Sequence, residues 1–187
     1  MNAPALDVSA LEAQLNELRG KVESLPPGPQ PKLSLIIFSG ELDKLLAAMI
    51  LATGAVAMGM QAVLFFTFWG MAALRNPAAR PRGKDFMATM FGWMLPKGRN
   101  RLKLSQMHMA GMGTAMLKEL MRKKNAPSLD QLFEIAAQLG VQIKVCEMSM
   151  DLMGFKREEI IDYPQLDYCG VATFLAEARE SQIQMFI

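Results

Sequence analysis

Only two of the 187 residues are cysteine, Cys146 and Cys169, and only one is histidine, His108. Two cysteines are too few for a disulfide scaffold, so free or transiently oxidised thiols in a reducing cytoplasm are expected. No basic stretch followed by a short apolar run opens the chain, and no secretory leader is expected. One histidine, no Cys-x-x-Cys and no clustered carboxylates leave too few ligands for a zinc site. His108 does stand among Met107, Met109, Met112 and Met116, and thioether with imidazole suits Cu(I). The 17 methionines are spread along the whole chain, however, as adaptable filler of cores and surfaces, and no metal is expected. Nucleotide motifs are equally thin. Gly111-Met112-Gly113 follows no strand and lacks the later glycine and the acidic ribose partner, while Ser39-Gly40 is what any tight strand-to-helix turn contains. No cofactor is expected.

What the chain has is apolar residues, at 51%, enough for one domain with a continuous core and an appendage. Residues 45–74 carry no charge at all, a length that spans a bilayer. Gly54, Gly59 and Gly70 nevertheless interrupt the run where a helix, a turn and a strand need breaks, and its second half is aromatic. The soluble reading is preferred. Charge is segregated: residues 75–124 hold 12 Lys and Arg against 2 Asp and Glu, while the flanking parts carry −2 and −6. Such a basic segment suits an acidic partner, nucleic acid or an anionic membrane surface, and a solvated basic face explains it as well. No nucleic-acid partner is expected; peripheral membrane contact stays open.

Val8, Leu11, Leu15, Leu18, Val22 and Leu25 alternate spacings of three and four, the seam of a coiled coil. Residues 1–25 are therefore read as a coiled-coil helix that supports a homo-oligomer, although two and a half heptads are too short to hold chains together unaided. Pro26, Pro27, Gly28, Pro29 and Pro31 make residues 26–31 a semi-rigid connector. The remaining residues, 32–187, are expected to form one α/β domain with a basic, Met-rich insertion at about 75–125.

Within it, Leu33–Phe38 reads as a strand, Glu41–Met58 as a helix stopped by Gly59, and Ala62–Phe68 as a second strand. Helical stretches are expected near Phe86–Leu95 and Gln106–Lys123. Ser128 is read as the N-cap of a helix over Leu129–Leu139, and Gly140 precedes a strand over Val141–Cys146. Short helices near Met150–Met153, with Ser149 as cap, and near Arg157–Ile161 follow. A helix over Val171–Glu180 and a strand over Ile183–Ile187 close the chain. The alternation predicts a three-layer α/β/α sandwich on a mostly parallel sheet of about five strands.

Cys146 ends a strand, the place where open parallel sheets build sites. A helix N-terminus there favours thiolate, the form that attacks and carries sulfur, whereas the neighbouring Glu147 opposes it. An inert packed cysteine is the equally weighted alternative. Cys169 precedes Gly170 at the start of another helix on the same rim, so the two thiols form a resolving pair or relay if they are close, and otherwise Cys169 packs.

Several segments, in this order and spacing, resemble the DsrE/DsrF-like family, particularly its larger subgroup with an extended middle segment. They are Phe38-Ser39-Gly40-Glu41-Leu42-Asp43-Lys44, Phe65-Phe66-Thr67-Phe68-Trp69-Gly70, Gly111-Met112-Gly113-Thr114, Cys146-Glu147-Met148-Ser149-Met150-Asp151-Leu152-Met153-Gly154 and Gly170-Val171-Ala172-Thr173-Phe174-Leu175. The resemblance implies a parallel α/β/α sandwich that oligomerises and traffics sulfur, with Cys146 carrying a persulfide or thiosulfonate. It further implies rhodanese-type donors and TusA-like acceptors. The other expectation is a non-catalytic oligomeric scaffold, free or on a membrane surface, in which both cysteines only pack.

Overall fold

The computed structural model describes residues 8–24, 28–80, 83 and 86–187. Five strands, β1 (Gln30–Ile37), β2 (Gln61–Phe66), β3 (Gln142–Cys146), β4 (Leu166–Cys169) and β5 (Ser181–Phe186), form one sheet in the order β4-β3-β2-β1-β5. Every pairing is parallel. Alternation along the strands divides the side chains between two faces. Leu35, Ile37, Leu64, Phe66, Ile143 and Val145 enter the main core, under helices α2 (Leu42–Ala57) and α5 (Leu129–Gln138). Each such side chain contributes about 1.5–3 kcal/mol on burial. Val63, Phe65, Cys146 and Cys169 point the other way, into a small cluster closed by Phe174 and Ala178 of α7 (Val171–Arg179). The architecture is thus the expected α/β/α sandwich, with one thick and one thin outer layer.

Several boundaries moved. β1 opens at Gln30, so Pro31 lies inside it; lacking an N–H, proline interrupts the ladder, and the pairing with β5 changes register between Gln30 and Leu33. β2 stops at Phe66 rather than Phe68. Phe68 has φ 44° and opens a 3-10 segment, Phe68–Leu74, in which Gly70–Leu74 are buried. The apolar run after Phe66 therefore records burial, not strand. Gly70 is required there: its N–H donates to Phe38 O at 2.8 Å, and a Cβ would collide with Ile37 O. The uncharged run 45–74 divides among α2, β2 and this segment, and no described helix is long and apolar enough to cross a membrane.

Ser128 caps α5 through a reciprocal pair, accepting from Gln131 N at 3.3 Å while Ser128 N donates to Gln131 Oε1 at 2.8 Å. β4 was not foreseen. It is a four-residue edge strand bearing the exposed Asp167, and an edge needs little hydrophobicity to pair.

Residues 75–125 hold α3 (Phe86–Met94), 3-10 turns at Arg99–Arg101 and Met109–Gly111, and α4 (Met112–Lys123). α4 starts six residues later than expected, because Met107, Met109 and Ala110 take positive φ. The segment is anchored to the sandwich by Leu42 N donating to Lys103 O (2.8 Å) and Arg99 Nε to Asp130 Oδ1 (2.7 Å). Its deepest tie is Arg75, 2% exposed, which donates to Gly92 O, Leu95 O and Pro96 O at the end of α3 and stands over the Phe155 ring. The helix α1 (Val8–Ser24) covers most of the expected coiled-coil seam, with Leu11, Leu15 and Leu18 exposed; Leu25 falls outside the described residues.

Candidate functional site

Cys146 is the last residue of β3 and the N-cap of α6 (Glu147–Met153), so the chain turns from strand to helix without an intervening loop. Ser149 is consequently not the cap: it lies inside the first turn of α6, fully buried, with its hydroxyl 2.7 Å from that of Thr67. Thr67 directly follows β2. This bond fastens the start of α6 to the neighbouring strand end and so fixes the backbone that carries Cys146. Glu147, expected to oppose a thiolate, is engaged elsewhere; Arg157 Nη2 donates to its Oε1 at 2.8 Å and Arg157 lies over the Tyr168 ring.

Cys169 ends β4, and Cys146 and Cys169 are register partners of adjacent parallel strands. Register partners share a face, so the two side chains enter the same cluster with Val63, Phe65, Phe174 and Ala178. The proximity that sequence alone left open is thereby decided. Both sulfurs are free thiols, with Cys146 at 0% and Cys169 at 6% exposure. Burial pushes the Cys169 thiol above its ordinary value, against the attraction of Lys144. Asp167, Cys146 and Glu177 add to the upward push.

Lys144 escaped the sequence reading, although strand alternation two residues before Cys146 puts it on the same face. Its ammonium lies 3.3 Å from Glu177 Oε2 and 3.7 Å from Asp167 Oδ2, a short charged row beside the thiols. Thr67 and Arg157 were missed too: the partner of Thr67 lies 82 residues away, and Glu147 and Tyr168, the partners of Arg157, belong to other elements.

Cys146 is fully buried and lines neither of two clefts, one at α7 and one on the basic insertion. An opening of about 240 Å³ shares Phe174 and Ala178 with the cysteine cluster and is otherwise walled by Ser34, Ile36, Leu175, Gln184, Met185 and Phe186. Phe174 stacks on Phe65 at 4.5 Å, so α7 is the cover over the thiols. A larger cleft of about 970 Å³ lies on the basic insertion, with Arg80, Lys97, Arg101 and Lys103 in its wall and Glu159 as its carboxylate. His108, considered for copper, instead hydrogen-bonds Thr114 Oγ1 at 3.1 Å. Among the described residues, no group of three or more His, Cys, Asp or Glu is placed to hold a metal ion.

The model of the DsrE/DsrF/DrsH-like family matches residues 29–186, the whole of the sandwich. The chain belongs to this family. Two curated relatives are similar along nearly their full length. The uncharacterized protein YrkE of Bacillus subtilis is 43% identical over 156 residues, covering 83% of this chain and 96% of YrkE. The sulfur carrier protein DsrE2 of Allochromatium vinosum is 34% identical over 165 residues, covering 84% of this chain and 99% of DsrE2. Among solved structures, the ychN protein from E. coli matches with a TM-score of 0.47 and 10% identity over 83% of this chain and 98% of that one. As a DsrE-family sandwich, the chain carries its cysteine pair at the carboxyl rim of the sheet, and α1 lies outside the matched residues.

Proposed function

We propose that this protein is a sulfur carrier of a sulfur-relay pathway, with Cys146 as the carrying thiol. The observation that supports this most directly is the placement of Cys146 at a strand end in a family that includes a sulfur carrier similar along almost its entire length. In the loading step the Cys146 thiolate attacks the outer sulfur of a donor persulfide. A bond forms from Cys146 Sγ to that sulfur, the donor sulfur-sulfur bond breaks, and the donor leaves as a thiolate. Delivery repeats the step with an acceptor thiol. A thiosulfonate is the alternative cargo. Donors and acceptors are rhodanese-type and TusA-like proteins in a reducing cytoplasm, and α1 supports a homo-oligomer.

Loading requires α7 to move, because Phe174 covers a thiol with no exposure. The same cover protects a bound persulfide from water and stray thiols. The basic cleft on the insertion offers an acidic donor or acceptor a docking surface by charge complementarity, an attraction that weakens as salt rises. Incubation with polysulfide or thiosulfate followed by intact mass spectrometry tests the assignment. Wild type is expected to gain sulfur and Cys146→Ser to gain none; equal gain by both removes Cys146 as the carrier.

The burial of both cysteines also favours a second reading, a scaffold in which they only pack, with peripheral contact to an anionic membrane through the basic segment. Thiol titration separates the two. If neither cysteine reacts near neutral pH until the chain is denatured, the scaffold reading gains. Liposome sedimentation at several salt concentrations tests the membrane contact.

A further inference from the structure

We propose that Cys169 is a resolving thiol: it discharges an undelivered sulfur from Cys146 as hydrosulfide and leaves a Cys146–Cys169 disulfide. The inference rests on the carrier reading and adds a second fate for the cargo, set by the register of two strands.

Geometry carries it. Neighbouring parallel strands run about 4.8 Å apart, inside the roughly 4.4–6.8 Å that separates the Cα atoms of bonded cysteines. Cys146 and Cys169 are register partners and point into one cluster. Each is the last residue of its strand, followed at once by a helix start at Glu147 or by the Gly170 cap. A rotation at these ends draws the two Cβ atoms together without disturbing any ladder beyond them. The other members of the cluster, Val63, Phe65, Phe174 and Ala178, have no nucleophile. A persulfide on Cys146 therefore has one thiol beside it, enclosed with it away from water.

The reaction balances without an added oxidant. Cys169 gives up its proton and its sulfur attacks Cys146 Sγ; the bond from Cys146 Sγ to the outer sulfur breaks, and that sulfur departs with the electron pair and the proton as hydrosulfide. The two cysteine sulfurs are oxidised to the disulfide and the sulfane sulfur is reduced to sulfide. Restoring the carrier takes a thiol reductant. A bond forced between register partners sits toward the labile end of protein disulfides, which suits a cycle. Burial, by keeping the Cys169 thiol protonated, holds the discharge slow and leaves time for delivery to an acceptor.

The test uses the full chain loaded with polysulfide under anaerobic conditions and freed of excess reagent. Intact mass and sulfide release are then followed together, with peptide mapping at the end. Wild type is expected to pass from the mass of one added sulfur to the mass of the disulfide, releasing one sulfide per chain and joining the Cys146 and Cys169 peptides. Cys169→Ser, and Cys169→Ala as a check on folding, are expected to keep the gained sulfur at least tenfold longer. A loaded wild type that sheds sulfur no faster than either variant, or sheds it without the joined peptide, overturns the inference and leaves carriage standing. A wild type that never gains sulfur overturns both.

Discussion

The hydroxyls of Thr67 and Ser149 meet at 2.7 Å across 82 residues of sequence, both buried, one turn beyond Cys146. Removing one partner leaves the other without a bond inside the protein, a loss of about 1–3 kcal/mol. Ser149→Ala is expected to lower stability by that amount, and the double replacement Thr67→Val with Ser149→Ala by less than the sum of the single changes. Denaturant unfolding of all four proteins closes the cycle. Additive losses would mean that the bond does not couple β2 to α6.

Arg75 holds the insertion by donating to three carbonyls at the end of α3, with Glu159 at 3.8 Å. Arg75→Met is expected to destabilise the protein by about 3–5 kcal/mol, since a buried network loses its charge and its donors together. Arg75→Lys should not restore it, because an ammonium cannot reproduce the planar fork. Protease cleavage between α3 and α4, faster in both variants, reports the loosened segment.

The Cys169 thiol is raised by burial, opposed by Lys144 and reinforced by Asp167, Cys146 and Glu177. Alkylation of Cys169 in Cys146→Ser is therefore expected to accelerate only above the ordinary cysteine range. Lys144→Met, which removes the attraction, should slow it further at a given pH. Rates measured by mass spectrometry between neutral and alkaline pH decide this; an unchanged rate in the lysine variant shows that the charge does not reach the thiol.

Alkaline pH should destabilise the fold. Tyr163 donates its hydroxyl to Val141 O at 2.8 Å, and burial raises its phenol well above the ordinary 10.0. Cys169 is raised in the same sense. For an acid whose folded value exceeds its unfolded one, stability is complete below the unfolded value and declines as pH rises from there toward the folded value. Unfolding midpoints in denaturant are expected to be flat through neutrality and to fall above roughly pH 9 to 10. Tyr163→Phe should flatten part of the decline.

Gly154 ends α6 at φ +63°, and a Cβ there would collide with Ala88 of α3. Gly154→Ala thus meets both backbone strain and a clash. It is expected to cost more than 1 kcal/mol and to raise protease sensitivity of the insertion. Gly140, at φ +76° with open space around it, should yield only the strain part when changed to alanine.

Local chemistry made much of this protein legible from its sequence. The Ser128 cap, the left-handed stops at Gly59 and Gly140, and the apolar runs of β1, β2 and β3 are set by residues within a few positions of one another. The same locality put Cys146 at a strand end next to a helix start. Elements whose stability comes from elsewhere were not legible. β4 pairs at an edge with little apolar signal of its own, and Gly70–Leu74 is apolar because the core closes over it, not because it extends a strand.

The site divides along the same line. Residues around Cys146 mark its strand end and residues after Cys169 mark a helix start, since alternation and capping are short-range; the strand before Cys169 leaves no such local mark. That the two thiols are neighbours follows from strand order and register, which place Cys146 beside Cys169 across 23 positions of chain. Pairing energy is summed over a whole ladder and its covering helices, and no local residue pattern specifies which strand ends finish side by side.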